Sequence, residues 1–221
     1  MATTSAARRI PALIGDPEQQ PRSFGGGEPP APPVRPNVQI GSNAWVATII
    51  FLGAEAMFFA GLIGAYIVFR VSAALWPPVF QPRLPVGITG INTLILLASA
   101  LTMRLSLKAV QANEQKKMVR FLGCTAMLGG IFLLIQGFEW VRLIHFGLTL
   151  SSSVYGGLFY TVIGFHGLHV LGALIWVLTV FVLGSAGHFS RERHTALQTC
   201  ALYWNFVVGL WPLLYGLVYL L

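Results

Sequence analysis

The sequence contains few charged residues: they make up 10% of its 221 residues, whereas a soluble domain usually has about 25%. Hydrophobic residues reach 55%. By length alone the chain could form one or two soluble domains. Such an apolar composition excludes an ordinary soluble fold and indicates that lipid is most of the solvent around this chain.

Cysteine is also scarce, with only two residues, Cys124 and Cys200, both inside apolar runs and outside any Cys/His cluster. This excludes a disulfide framework and a cysteine-based metal site, and we expect each cysteine to be a small core residue. The net charge of +7 does not come from basic clusters interleaved with aromatic residues, so nucleic-acid binding is not favoured. No nucleotide-binding or catalytic-triad motif occurs either.

The first part of the chain differs from the rest. Residues 1–40 hold eight of the 13 prolines and the glycine run 25–27. We predict a flexible cytoplasmic segment over 1–40, either a solvated tail or a partner-docking arm, followed by a transmembrane domain over 41–221. No apolar stretch follows Arg8 and Arg9, so a cleavable signal is not supported.

Five apolar runs are long enough for a helix to cross a hydrocarbon core of about 30 Å. They predict an all-α polytopic membrane protein with five transmembrane helices, at Trp45–Phe69, Val86–Met103, Val119–Val141, Val154–Gly184 and Leu197–Leu221.

The basic residues indicate the orientation of these spans. The N-terminal segment and the second and fourth loops between spans carry 11 of the 14 Lys and Arg residues, and the other side carries only Arg70, Arg83 and Arg142. Cytoplasmic segments carry the excess of Lys and Arg. We therefore expect a multi-pass protein of the cell inner (plasma) membrane, with a cytoplasmic N-terminus and a C-terminus on the periplasmic or outer side.

Only two carboxylates fall within the spans, Glu55 and Glu139. An ionisable residue in the membrane is a candidate functional residue because it is costly to place there. Glu139 has Arg142 at helical neighbour spacing, which favours a structural ion pair. Glu55 has no cation nearby in sequence, so it must be protonated or find a partner on another helix, with either a functional or a structural role.

Two histidines, His166 and His169, share a face of the fourth span at a depth similar to that of Glu55. We therefore expect Glu55 to form a hydrogen bond with one of these imidazoles. A haem or copper site needs further ligands at a suitable geometry. The other histidines, His145, His188 and His194, lie in predicted loops, so a metal site is not favoured.

Five sequence motifs, in order over residues 42–221, resemble subunit III of the haem–copper oxidases. They are Glu55 with Met57, Phe58 and Phe59; the run Ile91–Leu96; Gln136 with Glu139 and Trp140; the intact Gly164–Val170 segment Gly-Phe-His-Gly-Leu-His-Val; and Tyr203, Trp204, Trp211 and Tyr215. The sequence corresponds to the five-helix form of this family, which lacks the first two helices of the long form.

The resemblance implies an accessory subunit that is not itself catalytic. It implies partners in oxidase subunits I and II, which hold the haem and copper, and leaves open a subunit IV or another respiratory complex. It also implies bound phospholipid, stabilisation of subunit I, support of proton uptake by Glu55, and no cofactor or metal in this chain. The expected polar network comprises Glu55, Gln136, Glu139, His166, His169 and Asn205; the expected lipid or subunit contacts are Trp140, Tyr203, Trp204 and Trp211.

The last helix departs from the family pattern. Asn205 stands where the family has His and Val208 where it has Asp, and Pro212 should disturb the helix by freeing a carbonyl one turn earlier. These differences leave open a quinol oxidase, a nitric-oxide reductase or a respiratory supercomplex as the parent assembly. An independent proton-coupled membrane carrier, with Glu55 as its site, is the competing hypothesis.

Overall fold

A computed structural model describes residues 43–76, 78 and 84–220, and the predicted flexible segment 1–40 lies outside this part of the chain. Its regular structure is helical and comprises α1 (Asn43–Ser72), α2 (Val86–Gln111), α3 (Gln115–His145), α4 (Val154–Ser185), α5 (Thr195–Tyr215) and a terminal π turn (Gly216–Leu220). All five α-helices of the described region are long and apolar enough to cross a membrane. The prediction of five membrane helices is confirmed.

The observed helices extend beyond the predicted spans: α2 continues for eight residues past Met103 to Gln111, and α3 gains four residues at each end. Hydropathy detects only the part of a helix that lies in hydrocarbon, and a helix can continue into the aqueous boundary with polar residues. Arg104 and Lys108 belong to such an extension of α2.

Three of the helices end in the same way. After α2, α3 and α4 the chain turns through a residue with positive φ: Asn113, Gly147 and Gly187 respectively. At the end of α3, the N–H of Gly147 donates to the carbonyl of Ile144 and the N–H of Leu148 donates to that of Leu143. This is the Schellman pattern, and it satisfies carbonyl groups that the helix end would otherwise leave unpaired.

The helices pack with α5 on the inside, against α1, α2 and α4, while α3 lies between α2 and α4. The fraction of buried residues in the membrane-spanning window is 44% for the final helical segment and only 6% for α1. Most of α1 therefore presents apolar side chains to the outside of this chain.

Pro212 does not end α5, which continues to Tyr215. A proline lacks the N–H that would bond to the carbonyl four residues earlier, so the carbonyl of Val208 loses its usual helical donor. A π turn over Gly216–Leu220 follows α5. Proline therefore removes one hydrogen bond of α5 without ending the helix.

Candidate functional site: an intramembrane carboxylate–imidazole pair

The structure brings Glu55 of α1 together with His169 of α4, both near the middle of their helices. Glu55 lies roughly 18 Å from the first residue of α1, and His169 lies roughly 22 Å from the first residue of α4. Each position is deep within a hydrocarbon layer about 30 Å thick. The two groups are thus placed where an ionisable side chain is costly and calls for a partner.

The carboxylate and the imidazole are in direct contact. Oε2 of Glu55 is 2.7 Å from Nε2 of His169, and the two side chains are only 15% and 17% exposed. Phe59 lies with its edge against the imidazole at 5.0 Å between ring centres, and Phe58 stacks on it at 6.1 Å. When the imidazole is protonated this distance makes the contact an ion pair, and the aromatic surroundings strengthen the attraction by lowering the local dielectric constant.

The other nitrogen of the same imidazole fixes the position of its proton. Nδ1 of His169 is 2.6 Å from the carbonyl oxygen of Phe165, one turn earlier on α4. A carbonyl oxygen can only accept a hydrogen bond, so Nδ1 carries a hydrogen. The contact between Nε2 and Glu55 then needs one further proton, held either by the carboxyl group or by a cationic imidazole. The pair is therefore a site for a single shared proton.

His166 does not take part in this pair. Its side chain is 1% exposed and stacks on the ring of Trp211 in α5, with 4.9 Å between ring centres. Neither ring nitrogen has a hydrogen-bond partner in the described part of the chain. His166 therefore packs α4 against α5, and of the two candidate imidazoles it is His169 that contacts Glu55.

Gln136 and Glu139 form a separate polar group near the end of α3. Nε2 of Gln136 donates to the hydroxyl of Tyr219 at 3.2 Å, and Glu139 lies three residues further along the same helix. The expected Glu139–Arg142 ion pair is not formed, since the guanidinium of Arg142 lies instead over the ring of Phe146, 5.7 Å from its centre. The two side chains are neighbours along the helix, but the aromatic ring holds the guanidinium away from the carboxylate.

Asn205 does not form a hydrogen bond with Glu55. Its amide nitrogen donates to the carbonyl of Ala201 on its own helix at 2.6 Å. Tyr203, on the same helix, is 8% exposed and lies between the rings of Phe51 and Trp176, each 5.7 Å away. The expected single network is thus divided into local groups.

For Trp204 and Trp211 the structure corrects the expected contact with lipid or another subunit. Both are completely buried among the helices of this chain. Nε1 of Trp204 donates to Ser99 at 3.1 Å, and Nε1 of Trp211 donates to Thr93 at 2.8 Å. A tryptophan in an apolar run does not reveal which side it faces, so the sequence could not separate an interface tryptophan from a buried one. Trp140, by contrast, keeps part of its surface.

Ser99 and Thr93 of α2, which accept hydrogen bonds from these two tryptophans, are functional contacts that the sequence motifs did not reveal. Each hydroxyl also donates to a carbonyl of its own helix, Ser99 to Leu96 and Thr93 to Thr89. The available signal was the presence of small hydroxyl residues within an apolar run, since such residues form hydrogen bonds between membrane helices.

The described residues contain no group of three or more His, Cys, Asp or Glu side chains arranged to hold a metal ion. His194, at the start of α5, contacts Gln198 of the same helix through Nε2 at 2.9 Å.

The fold and the site together define a class: a polytopic helical membrane protein with a largely buried carboxylate–imidazole pair between α1 and α4. Similarity to known sequences identifies the family within this class. The family model described as cytochrome c oxidase subunit III matches residues 35–221. The cytochrome c oxidase subunit 3 of Synechocystis is 36% identical over 174 residues, which cover 78% of this chain and 73% of the relative.

Two further relatives come from distant sources. The probable cytochrome c oxidase subunit 3 of Nocardia farcinica is 36% identical, covering 79% of this chain and 86% of the relative. The cytochrome c oxidase subunit 3 of Loxodonta africana is 33% identical, and the match covers 77% of this chain and 67% of the relative. The chain belongs to the cytochrome c oxidase subunit III family, and it is an accessory subunit of a haem–copper oxidase.

Proposed function

We propose that this chain stabilises the catalytic subunit I of its oxidase, holds lipid against it and supports proton uptake through the Glu55–His169 pair. The observation that carries the proposal is the 2.7 Å contact between the carboxylate and an imidazole whose other nitrogen already carries a hydrogen. With one further proton the pair has no net charge, whether the carboxyl group or the imidazole holds it, so that proton can move between the two groups without leaving an unpaired charge in hydrocarbon.

The pair is suited to exchange a proton rather than to keep it permanently enclosed. Both side chains retain 15–17% of their surface, so a water molecule or a group of a neighbouring subunit can reach them. The chain itself supplies no redox centre in this proposal. The partners are oxidase subunits I and II, which hold the haem and copper, and the names of the relatives support cytochrome c as the electron donor.

The mostly exposed α1 supports the structural part of the proposal. Large apolar side chains cover its outer surface, among them Ile50, Met57 and Val71, which are 70–79% exposed. In a membrane this surface contacts lipid or another subunit. Because Glu55 lies on the same helix, a partner that packs on α1 would lie close to the proton-holding pair.

The experiment compares oxidase complexes that contain Glu55→Gln or Glu55→Ala with the wild type. We expect Glu55→Ala to slow steady-state proton uptake, or to shorten the catalytic lifetime during turnover, while the haem spectrum stays unchanged. Glu55→Gln should share the defect, because an amide can hydrogen-bond to the imidazole but cannot exchange the proton.

Glu192→Gln removes an exposed carboxylate from the loop between α4 and α5 and should leave both quantities unchanged. Wild-type proton uptake and lifetime in both Glu55 variants would show that the residue is only structural.

A further inference from the structure

A stack of three aromatic rings from three different helices lies beside the Glu55–His169 pair. The ring of Tyr203 in α5 is centred 5.7 Å from the ring of Phe51 in α1 and 5.7 Å from that of Trp176 in α4, with a tilt of 36° in each case. Aromatic rings in contact have centres about 4.5–7 Å apart. The three rings therefore form a continuous bridge from α1 through α5 to α4.

The contacts between α1 and α4 show that the two helices run in opposite directions. Glu55 contacts His169, and Phe58, further along α1, contacts Phe165, which comes earlier in α4, with 5.2 Å between ring centres. Residue numbers thus rise on α1 where they fall on α4. The end of the bundle where α1 begins is therefore the end where α4 finishes.

The aromatic stack lies between the pair and this end of the bundle. Phe51 precedes Glu55 by four residues, roughly 6 Å along the axis of α1 and on the same helix face. Trp176 follows His169 by seven residues, roughly 10.5 Å along the axis of α4. Because α1 and α4 are antiparallel, both displacements point towards the end where α1 begins.

The stack is poorly suited to pass a proton while its rings are in contact. A group that relays a proton must both accept and donate a hydrogen bond. Phenylalanine does neither, and the indole of Trp176 can only donate, so the hydroxyl of Tyr203 is the one group of the three side chains with both capacities. Rings in contact also leave no space for a water molecule between them.

Water has no easier route to the pair from the side. At the depth of Glu55 and His169, the surface that the two side chains leave exposed meets hydrocarbon or a partner subunit rather than bulk water. Water that comes from the end where α1 begins must therefore pass along the contact between α1 and α4. The aromatic stack lies across that contact.

One side of the stack is freer to move than the other. Tyr203 is 8% exposed and is held between two rings, whereas Phe51 is 45% exposed. Phe51 also belongs to α1, the helix with the smallest buried fraction. A segment with few buried contacts opens at low cost in free energy. A shift of α1 would therefore separate Phe51 from Tyr203 and leave the other two rings in place.

We propose that Phe51, Tyr203 and Trp176 form a hydrophobic gate between the Glu55–His169 pair and the end of the bundle where α1 begins. With the rings stacked, the gate is closed to water. Movement of Phe51 with α1 opens it and admits a proton, so a partner that packs on α1 controls the exchange. The inference rests on the proposed role of the pair in proton uptake and names the residues that regulate access to it.

The test measures how readily water reaches position 55 in the assembled oxidase. Glu55→Cys is introduced after Cys124 and Cys200 have been replaced by serine, and membrane vesicles are treated with a methanethiosulfonate that carries a fixed charge and does not cross the membrane. Only a hydrated thiolate reacts rapidly. Vesicles in which Ser190→Cys is labelled present the correct end, because Ser190 is exposed in the connection that follows α4.

Glu55→Cys with the stack intact should be protected from the reagent. Addition of Phe51→Ala or Tyr203→Ala should raise the rate of labelling at least about tenfold, because loss of either ring lets water reach the thiolate. Tyr203→Phe keeps the ring, and Phe206→Ala removes a half-buried ring of the same helix outside the stack. Neither of these two control variants should change the rate.

Rapid labelling of Glu55→Cys with all three rings intact would overturn the gate. Continued protection in both alanine variants, in complexes with an unchanged haem spectrum, would do the same. Slower proton uptake in Tyr203→Phe would also contradict it, because the proton would then pass through the hydroxyl of a closed stack. Labelling reports access to position 55 alone, so it tests the gate even if wild-type proton uptake in the Glu55 variants removes the proposed function.

Discussion

At the scale of single residues, the physical constraint on this chain is the placement of ionisable groups in hydrocarbon. The chain resolves it by placing Glu55 against His169 and by turning the second nitrogen of that imidazole to the carbonyl of Phe165. Removing one member of a buried polar pair lowers stability by more than the pair contributes, because the remaining group stays desolvated without a hydrogen-bond partner. The two residues should therefore be energetically coupled.

A double-mutant cycle measures this coupling. Glu55→Leu and His169→Phe should each lower the free energy of unfolding by about 1–3 kcal/mol, since each leaves one buried polar group unpaired. The double variant should lose clearly less than the sum of the two. The measurement is denaturant unfolding of the chain in detergent micelles.

The same cycle with Glu114→Leu in place of the Glu55 variant serves as the control. Glu114 lies at the start of α3 and pairs with Lys117. Its effect and that of His169→Phe should add within about 0.5 kcal/mol, as expected for distant sites. Additivity in the Glu55–His169 cycle as well would mean that the 2.7 Å contact does not couple the two residues energetically.

At the scale of helices, close packing depends on a few glycines opposite large side chains. A Cβ atom added to Gly129 of α3 would lie 2.5 Å from Cη2 of Trp204. That ring is completely buried and anchored to Ser99, so it has little freedom to move. The neighbouring Gly130 has no atom within 4 Å of the same added Cβ.

These two glycines form a matched pair for a packing test. Gly129→Ala should lower the free energy of unfolding by about 1–3 kcal/mol, because an extra methyl group in a well-packed core forces its neighbours to shift. Gly130→Ala should cause no loss, since alanine has the higher helix propensity. Thermal unfolding of both variants in the same detergent provides the comparison; equal losses would show that the contact with Trp204 is not what demands glycine.

At the scale of the whole molecule, orientation in the membrane decides from which side the Glu55–His169 pair receives its proton. The excess of basic residues on one side, 11 against three, leads us to propose a cytoplasmic N-terminus. The connection between α3 and α4 would then lie on the outer side, and that between α4 and α5 on the cytoplasmic side.

Cysteine labelling in intact cells tests this orientation. After replacement of Cys124 and Cys200 by serine, a membrane-impermeant maleimide should label Ser151→Cys directly, because this residue is exposed in the connection between α3 and α4. Ser190→Cys, exposed in the connection between α4 and α5, should react only after the membrane is opened. The reverse pattern would invert the topology and place proton uptake on the other side.

The number and positions of the helices followed from the sequence alone, because an uninterrupted apolar run has few stable alternatives to a membrane-spanning helix. The positions of Glu55 and His169 along their helices followed as well, since residue number along a helix fixes distance along its axis. The rotation of each helix about its own axis, which decides which side chains meet, was less well determined. The sequence allowed either His166 or His169 to meet Glu55, and it allowed Trp204 and Trp211 to face outwards.

The tertiary structure decided these questions by packing. The burial of α5 turned Trp204 and Trp211 towards Ser99 and Thr93, and His166 stacked on Trp211, which left His169 facing α1. The cation–π contact of Arg142 with Phe146 likewise separated it from Glu139. Hydropathy determined the spans and their depth because every apolar residue prefers lipid or protein to water. Hydropathy could not determine which face of each helix points towards the other helices, because lipid and the protein interior are both apolar. Contacts between helices determined it.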